Sequence, residues 1–135
     1  MYTGLMHSHT GLAYLFILST TASVILAVMT KFGGPKPGVI KLGTILARFV
    51  ETSCGGLVAL VGIGMWAVGP LTVGTWWLWV ALIGVGASGA LIARGIKPTL
   101  GALADGDESV SGKWVGMAIG HWALVIALFG LMHAF

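Results

Sequence analysis

Two ionisable residues stand inside otherwise uncharged stretches of this chain, Glu51 in Ala47-Arg48-Phe49-Val50-Glu51-Thr52 and His121 in Gly120-His121-Trp122. Ionisable side chains within apolar, membrane-length stretches are expensive, so each is a functional candidate. Glu51 lies roughly 15 Å along its helix from Lys41, and His121 about 12 Å beyond Lys113, at the helical rise. Both segments climb from a basic end, so the two residues are expected to share a level. Thr20, Thr21 and Ser23 fall near it on the first helix. With Arg48 and Thr52 they would make one polar layer. Its chemistry would be proton handling or the binding of a quinone headgroup, since Glu and His are the usual proton relays of membranes. The competing reading is an Arg48–Glu51 pair at i, i+3 near the interface, with His121 bonded separately to a neighbouring helix.

A second group gathers where the chain begins and ends. Met6-His7-Ser8-His9 precedes or opens the first apolar run, and Met132-His133 closes the last. Neutral imidazole ligates haem iron, zinc or copper, and thioether sulfur favours Cu(I). Histidines from two facing helices are the minimum that can hold haem b in a bundle. His7, His9 and His133 are therefore candidate ligands for haem b or copper. Tyr14, seven residues after His7 and on about the same helix face, is a candidate to shape the pocket. The alternative is that these residues are simply solvated and hold no ligand.

The elements that must position these residues are membrane spans. Of 135 residues only 8% are charged and 57% are hydrophobic, against a soluble norm of roughly 25% charged. The uncharged runs Gly11–Met29, Thr52–Ala93 and Trp114–Phe135 each exceed the 18 or so residues needed to cross a bilayer, and the middle one suffices for two crossings. The expected fold is all-α: four transmembrane helices in an up-down bundle, forming a single domain over 1–135. The spans are expected at about Ser8–Thr30, Val39–Val68, Val73–Arg94 and Ser109–Ala134. Breaks come from Gly33-Gly34-Pro35 with Pro37, from Gly69-Pro70, and from Gly95 with Pro98, and Ser109 or Ser111 is the expected cap of the last helix. Thr99–Ala104 is expected as a short interfacial turn. No basic leader or A-x-A cleavage site precedes the first run, which reads as a retained helix.

Charge sets the expected orientation. All 7 Lys and Arg residues, from Lys31 to Arg48 and from Arg94 to Lys113, flank the first and third connections. By the positive-inside rule those connections face the cytoplasm and both termini lie outside, periplasmic if the membrane is a bacterial inner membrane. Trp66, Trp76, Trp77 and Trp79 gather near the outer hairpin, and Trp114 is expected in the aromatic belt at the inner boundary. Glycines and Ser88 on the second and third helices are expected to let those two pack closely. Gly116 and Gly120 form a G-x-x-x-G on the fourth.

Several function classes are excluded. Scattered basic residues form no nucleic-acid-binding face despite a pI near 9.4. The lone Cys54 rules out an internal disulfide or a cysteine-cluster metal site. No phosphate loop, nucleophile elbow or zinc-protease motif occurs, so no catalytic residue is assigned. Asp105-Gly106-Asp107-Glu108 lacks the later ligands of a calcium loop and reads as solvated.

Tyr2 with His7 and His9 at the first helix, the acidic Glu51 early in the second, and Trp76-Trp77-Leu78-Trp79 opening the third carry a likeness. The chain resembles the small four-helix membrane families of the SirB-like and CopD-like type. It departs from them in having Glu rather than Asp at position 51 and no basic residue at Val80-Ala81. The resemblance implies a four-helix bundle with histidines near helix ends, with haem or copper in some branches. Three functions follow: a haem b protein for electron transfer or redox sensing, with His7 or His9 and His133 as axial ligands; a cofactor-free accessory subunit of a larger membrane complex; or a copper-handling protein using Met6, His7, His9, Met132 and His133. The lipid bilayer, other membrane subunits and no nucleic acid are the expected partners.

Overall fold

The computed structural model describes residues 1–70 and 74–134. Four helices are long and apolar enough to cross a membrane: α1 (Tyr2–Gly33), α2 (Pro37–Val68), α3 (Trp76–Ala104) and α4 (Ser111–Ala134). They alternate in direction and form an all-α four-helix bundle. α1 packs most extensively on α2 and α4, and α3 closes the ring against α4. The two termini and the α2–α3 connection share one end, the terminal end. The basic connections lie at the other, the basic end.

The helix limits differ from the expected ones for local reasons. α1 begins at Tyr2 rather than Ser8, because nothing in Thr3–His7 breaks a helix and the Thr10 hydroxyl is absorbed by the Met6 carbonyl at 2.9 Å. Gly34, at φ 80°, ends it in a conformation that favours glycine. Pro37 then opens α2 at the position where a missing N–H does no harm. The expected start of the third helix at Val73 lies outside the described residues. α3 runs on through Gly95 and Pro98 to Ala104, taking in the stretch expected as a turn. It does so because Ile92–Ile96 is a π-helical segment, whose wider turn relieves the clash between the proline ring and the preceding carbonyls. The Thr99 hydroxyl also bonds the Gly95 carbonyl at 2.8 Å. Asp107 caps the short 3-10 turn Glu108–Val110 that leads into α4, its carboxylate accepting from the Ser109 amide at 3.1 Å.

A second π-helical segment, Leu46–Glu51, lies in α2, and both have the same cause. Gly43, Ala47, Glu51 and Gly55 are all buried, as are Ser88, Ile92, Ile96 and Leu100. A four-residue spacing overshoots an α-helical turn by about 40° each time. A stripe of four such positions would wind off the buried face unless a wider turn absorbed the excess. The extra carbonyl freed in α2 is met by the Thr52 hydroxyl, which bonds Ala47 at 2.8 Å.

Packing is uneven along the bundle axis. At the basic end a dense core joins all four helices: Leu26 and Ala27 from α1, Ile40 and Ala47 from α2, Ile92, Ile96, Leu100 and Leu103 from α3, and Trp114 and Ala118 from α4. Trp114 is 1% exposed, so it is a core residue and not part of an aromatic belt. Gly43 makes room for it, since a Cβ there would sit 2.8 Å from the indole. The other glycines also serve pairs different from those expected. Gly55 faces Phe16 and Gly62 faces His9, both on α1, while Gly84 faces Leu128 on α4. Among the described residues, a Cβ added at Gly116 or Gly120 would meet nothing within 4 Å. Toward the terminal end the core thins to Phe16, Cys54 and Val125, and beyond them the bundle is hollow.

Candidate functional site: a polar layer beneath an apolar cavity

Near the middle of the bundle each helix contributes one polar side chain to a single connected layer. Ser23 of α1 donates its hydroxyl to Glu51 Oε1 of α2 at 2.5 Å. Glu51 Oε2 lies 3.6 Å from His121 Nδ1 of α4. His121 Nε2 lies 2.6 Å from the Ser88 hydroxyl of α3. Glu51 and His121 are each 1% exposed, and the Phe16 ring meets the imidazole edge-on with centroids 5.7 Å apart. Glu51 Oε2 is buried without a hydrogen-bond partner. Four residues from four helices thus form a chain across the bundle, and each short bond fixes one end of the central Glu–His pair.

The expected layer is therefore present with altered membership. Glu51, His121 and Ser23 belong to it. Arg48 does not: it is exposed, with its guanidinium 5.6 Å over the Phe49 ring, so the expected Arg48–Glu51 pair is replaced by Ser23 and His121. Thr20 and Thr21 spend their hydroxyls on the Ile17 carbonyl at 3.0 and 2.8 Å. Thr21 also accepts from the Trp122 indole at 3.0 Å, tying α1 to α4 outside the core. Ser88 is the member that sequence reasoning assigned to packing. A polar residue spaced by fours along Ser88, Ile92, Ile96 and Leu100 was the available signal.

Directly toward the terminal end lies a cavity of about 350 Å³ lined by all four helices, with Phe16 in its wall. Trp66, Trp79, Phe129 and Met132 contribute to the lining, and His9 is its one imidazole. His9 is 8% exposed. A carbonyl can only accept, so His9 Nδ1 carries the proton that reaches Val58 O at 3.2 Å. His9 Nε2 is left buried with no partner. Gly62 permits this placement, since a Cβ there would come within 3.3 Å of the ring. Trp66 and Trp79 join edge-to-face at 6.1 Å, linking α2 and α3 beside the cavity.

Of the remaining outer candidates, Met132 lines the cavity with His9, and the others lie on the surface. His7 and Met6 are exposed. His133 is exposed, bonds the Phe129 carbonyl of its own helix at 3.0 Å and stacks on the Phe129 ring. Tyr14 is also exposed, with its ring centroid 5.2 Å from that of Phe129, and is not among the residues lining the cavity. Among the described residues no group of three or more His, Cys, Asp or Glu is placed to hold a metal ion.

Comparison with models of protein families, with curated proteins and with solved structures finds no match.

Proposed function

We propose that the protein holds haem b in the cavity at the terminal end of the bundle, where His9 would bind its iron, and serves electron transfer or redox sensing within the membrane. The observation that carries this reading is the unpartnered, buried Nε2 of His9. Histidines that ligate a metal commonly donate their other ring N–H to a carbonyl or carboxylate, which fixes the tautomer and aims the free nitrogen. His9 has this arrangement with Val58. Met132 is the other side chain in the cavity wall able to ligate iron. Haem supplies one-electron chemistry; the chain's part is to bind it, orient it and keep water away with aromatic and aliphatic walls. The likeness to SirB-like and CopD-like families belongs to this proposal. A visible spectrum tests it. Protein produced with added haem is expected to show a haem Soret band that is lost in His9→Ala and retained in His133→Ala. A colourless wild type rejects the reading.

The chain is oriented, in this proposal, with its basic connections in the cytoplasm and both termini periplasmic in a bacterial inner membrane. The support is the placement of all 7 basic residues at one end. A reporter inserted near Gly106 should then be cytoplasmic and one at the C-terminus periplasmic. The reverse result overturns the orientation while leaving the bundle intact.

A second reading is an accessory subunit of a larger membrane complex. It is favoured by the outward face of α4, where Gly116, Gly120, Ala123 and Ala127 are exposed and would let another helix approach closely. The mass of the native membrane assembly separates it from the first.

A further inference from the structure

We propose that Glu51 and His121 form a proton-binding site within the span, holding one exchangeable proton between carboxyl and imidazole. The site stands on the polar layer alone and does not depend on haem. Its two ends are fixed: Ser23 donates to Glu51 Oε1 at 2.5 Å, and Ser88 meets His121 Nε2 at 2.6 Å. What lies between is an Oε2–Nδ1 gap of 3.6 Å in which Oε2 has no hydrogen-bond partner. A small side-chain shift closes that gap to hydrogen-bond distance.

Charge counting sets the number of protons. With none, the pair is a buried carboxylate beside a neutral ring; with two, it is a carboxylic acid beside an imidazolium. Either leaves a net charge among apolar side chains, where an uncompensated ion is costly. With one proton the pair is neutral overall. That proton can sit on Oε2 and donate to Nδ1, or on Nδ1 and donate to Oε2. Passing between them breaks one O–H bond and forms one N–H bond, and nothing else need change. Nε2–H donates to Ser88 in both forms, and Ser23 donates to Oε1 in both.

The surroundings neither supply nor remove this charge. On α2 itself the nearest titratable group is the buried Cys54 thiol, and Arg48 is exposed. α1 presents Ser23 with Thr20 a turn away, and α3 presents Ser88. His121 is the member from α4. Among the described residues, no Lys, Arg or Asp reaches the layer. Phe16 touches His121 edge-on and also lines the cavity, so the site lies directly under the cavity wall.

The test counts protons on the full chain in phosphatidylcholine vesicles. Infrared spectroscopy reads the Glu51 carboxyl, identified by its loss in Glu51→Gln. Nitrogen-15 NMR on histidine-labelled protein reads the His121 ring, identified by its loss in His121→Gln. The expected sum is one proton on the pair at neutral pH, exchanging in deuterated buffer. Glu51→Gln should leave His121 neutral, and His121→Gln should shift the Glu51 signal. An ionised carboxyl beside a neutral ring, two protons on the pair, a proton that does not exchange, or a Glu51 signal unmoved by His121→Gln would each overturn the proposal. Should either variant fail to fold, the remaining three carboxylates, Asp105, Asp107 and Glu108, are exposed, so slow deuterium exchange singles out the buried one and the wild-type sum still decides.

Discussion

Replacing Trp114 by alanine is expected to destabilise the bundle by about 3–5 kcal/mol, as for other large-to-small changes at buried aromatic positions. Trp114 is 1% exposed and sits in the core shared by all four helices. Lipid tails are as apolar as the core, so the loss is chiefly of packing contacts, which places the effect toward the lower figure. The site cannot collapse cheaply either. Gly43 opposes the indole with no side chain, so α2 has none at that contact to move into the vacated space. Unfolding in mixed micelles of increasing denaturing detergent measures the difference. A change below about 0.5 kcal/mol, the range of an ordinary surface substitution, would refute the assignment of Trp114 as a core residue.

The second large effect is expected at the polar layer, and its signature is non-additivity. Glu51→Leu strands Ser23 and His121, and His121→Leu strands Glu51 and Ser88. Removing one partner of a buried pair typically costs about 3–5 kcal/mol. Replacing both by apolar residues of similar size removes the stranded group as well, so the double variant is expected to be more stable than the sum of the two single losses predicts. For residues in one network the coupling is about 0.5–3 kcal/mol. Hydrogen bonds within membranes often contribute less than this because the unfolded chain finds other partners there. The sign of the coupling is therefore the decisive reading. Strictly additive losses would show that Glu51 and His121 act independently.

How much of this was legible in the sequence varies from residue to residue. The spans were legible, because uncharged runs longer than a bilayer is thick admit few other readings. Glu51 and His121 were legible because ionisable residues are rare in such runs, and their common level followed from the helical rise. Ser88 was hidden, since a serine among glycines and alanines reads as a spacer until a histidine from another helix is seen against it. Trp114 was misplaced for a related reason: a tryptophan one residue after a lysine resembles a boundary residue, and only Gly43, far away in the chain, reveals the pocket that takes it. The terminal histidines shared one end as connectivity required, yet end-to-end proximity says nothing about facing. His9 turns to the cavity and the Val58 carbonyl, while His7 and His133 remain on the surface.

Arg48 was placed in the layer by its level along the helix, which does not fix the face it presents, and in α2 the pitch is not constant. Both π-helical segments begin on an aliphatic residue followed by Ala-Arg, Leu46-Ala47-Arg48 and Ile92-Ala93-Arg94. Each widened turn carries one residue more than a plain helix needs to cover the same angle. This surplus bears on which changes of length the lineage of this chain can accept. Loss of one exposed residue such as Phe49 would turn the four-residue steps at that point into the mixed threes and fours of an ordinary helix, and the buried stripe would stay in line. The same loss in the regular part of α1 or α4 would swing every later side chain by about 100°. In α2 and α3, the widened turns are the places where the chain can be shortened without losing its register.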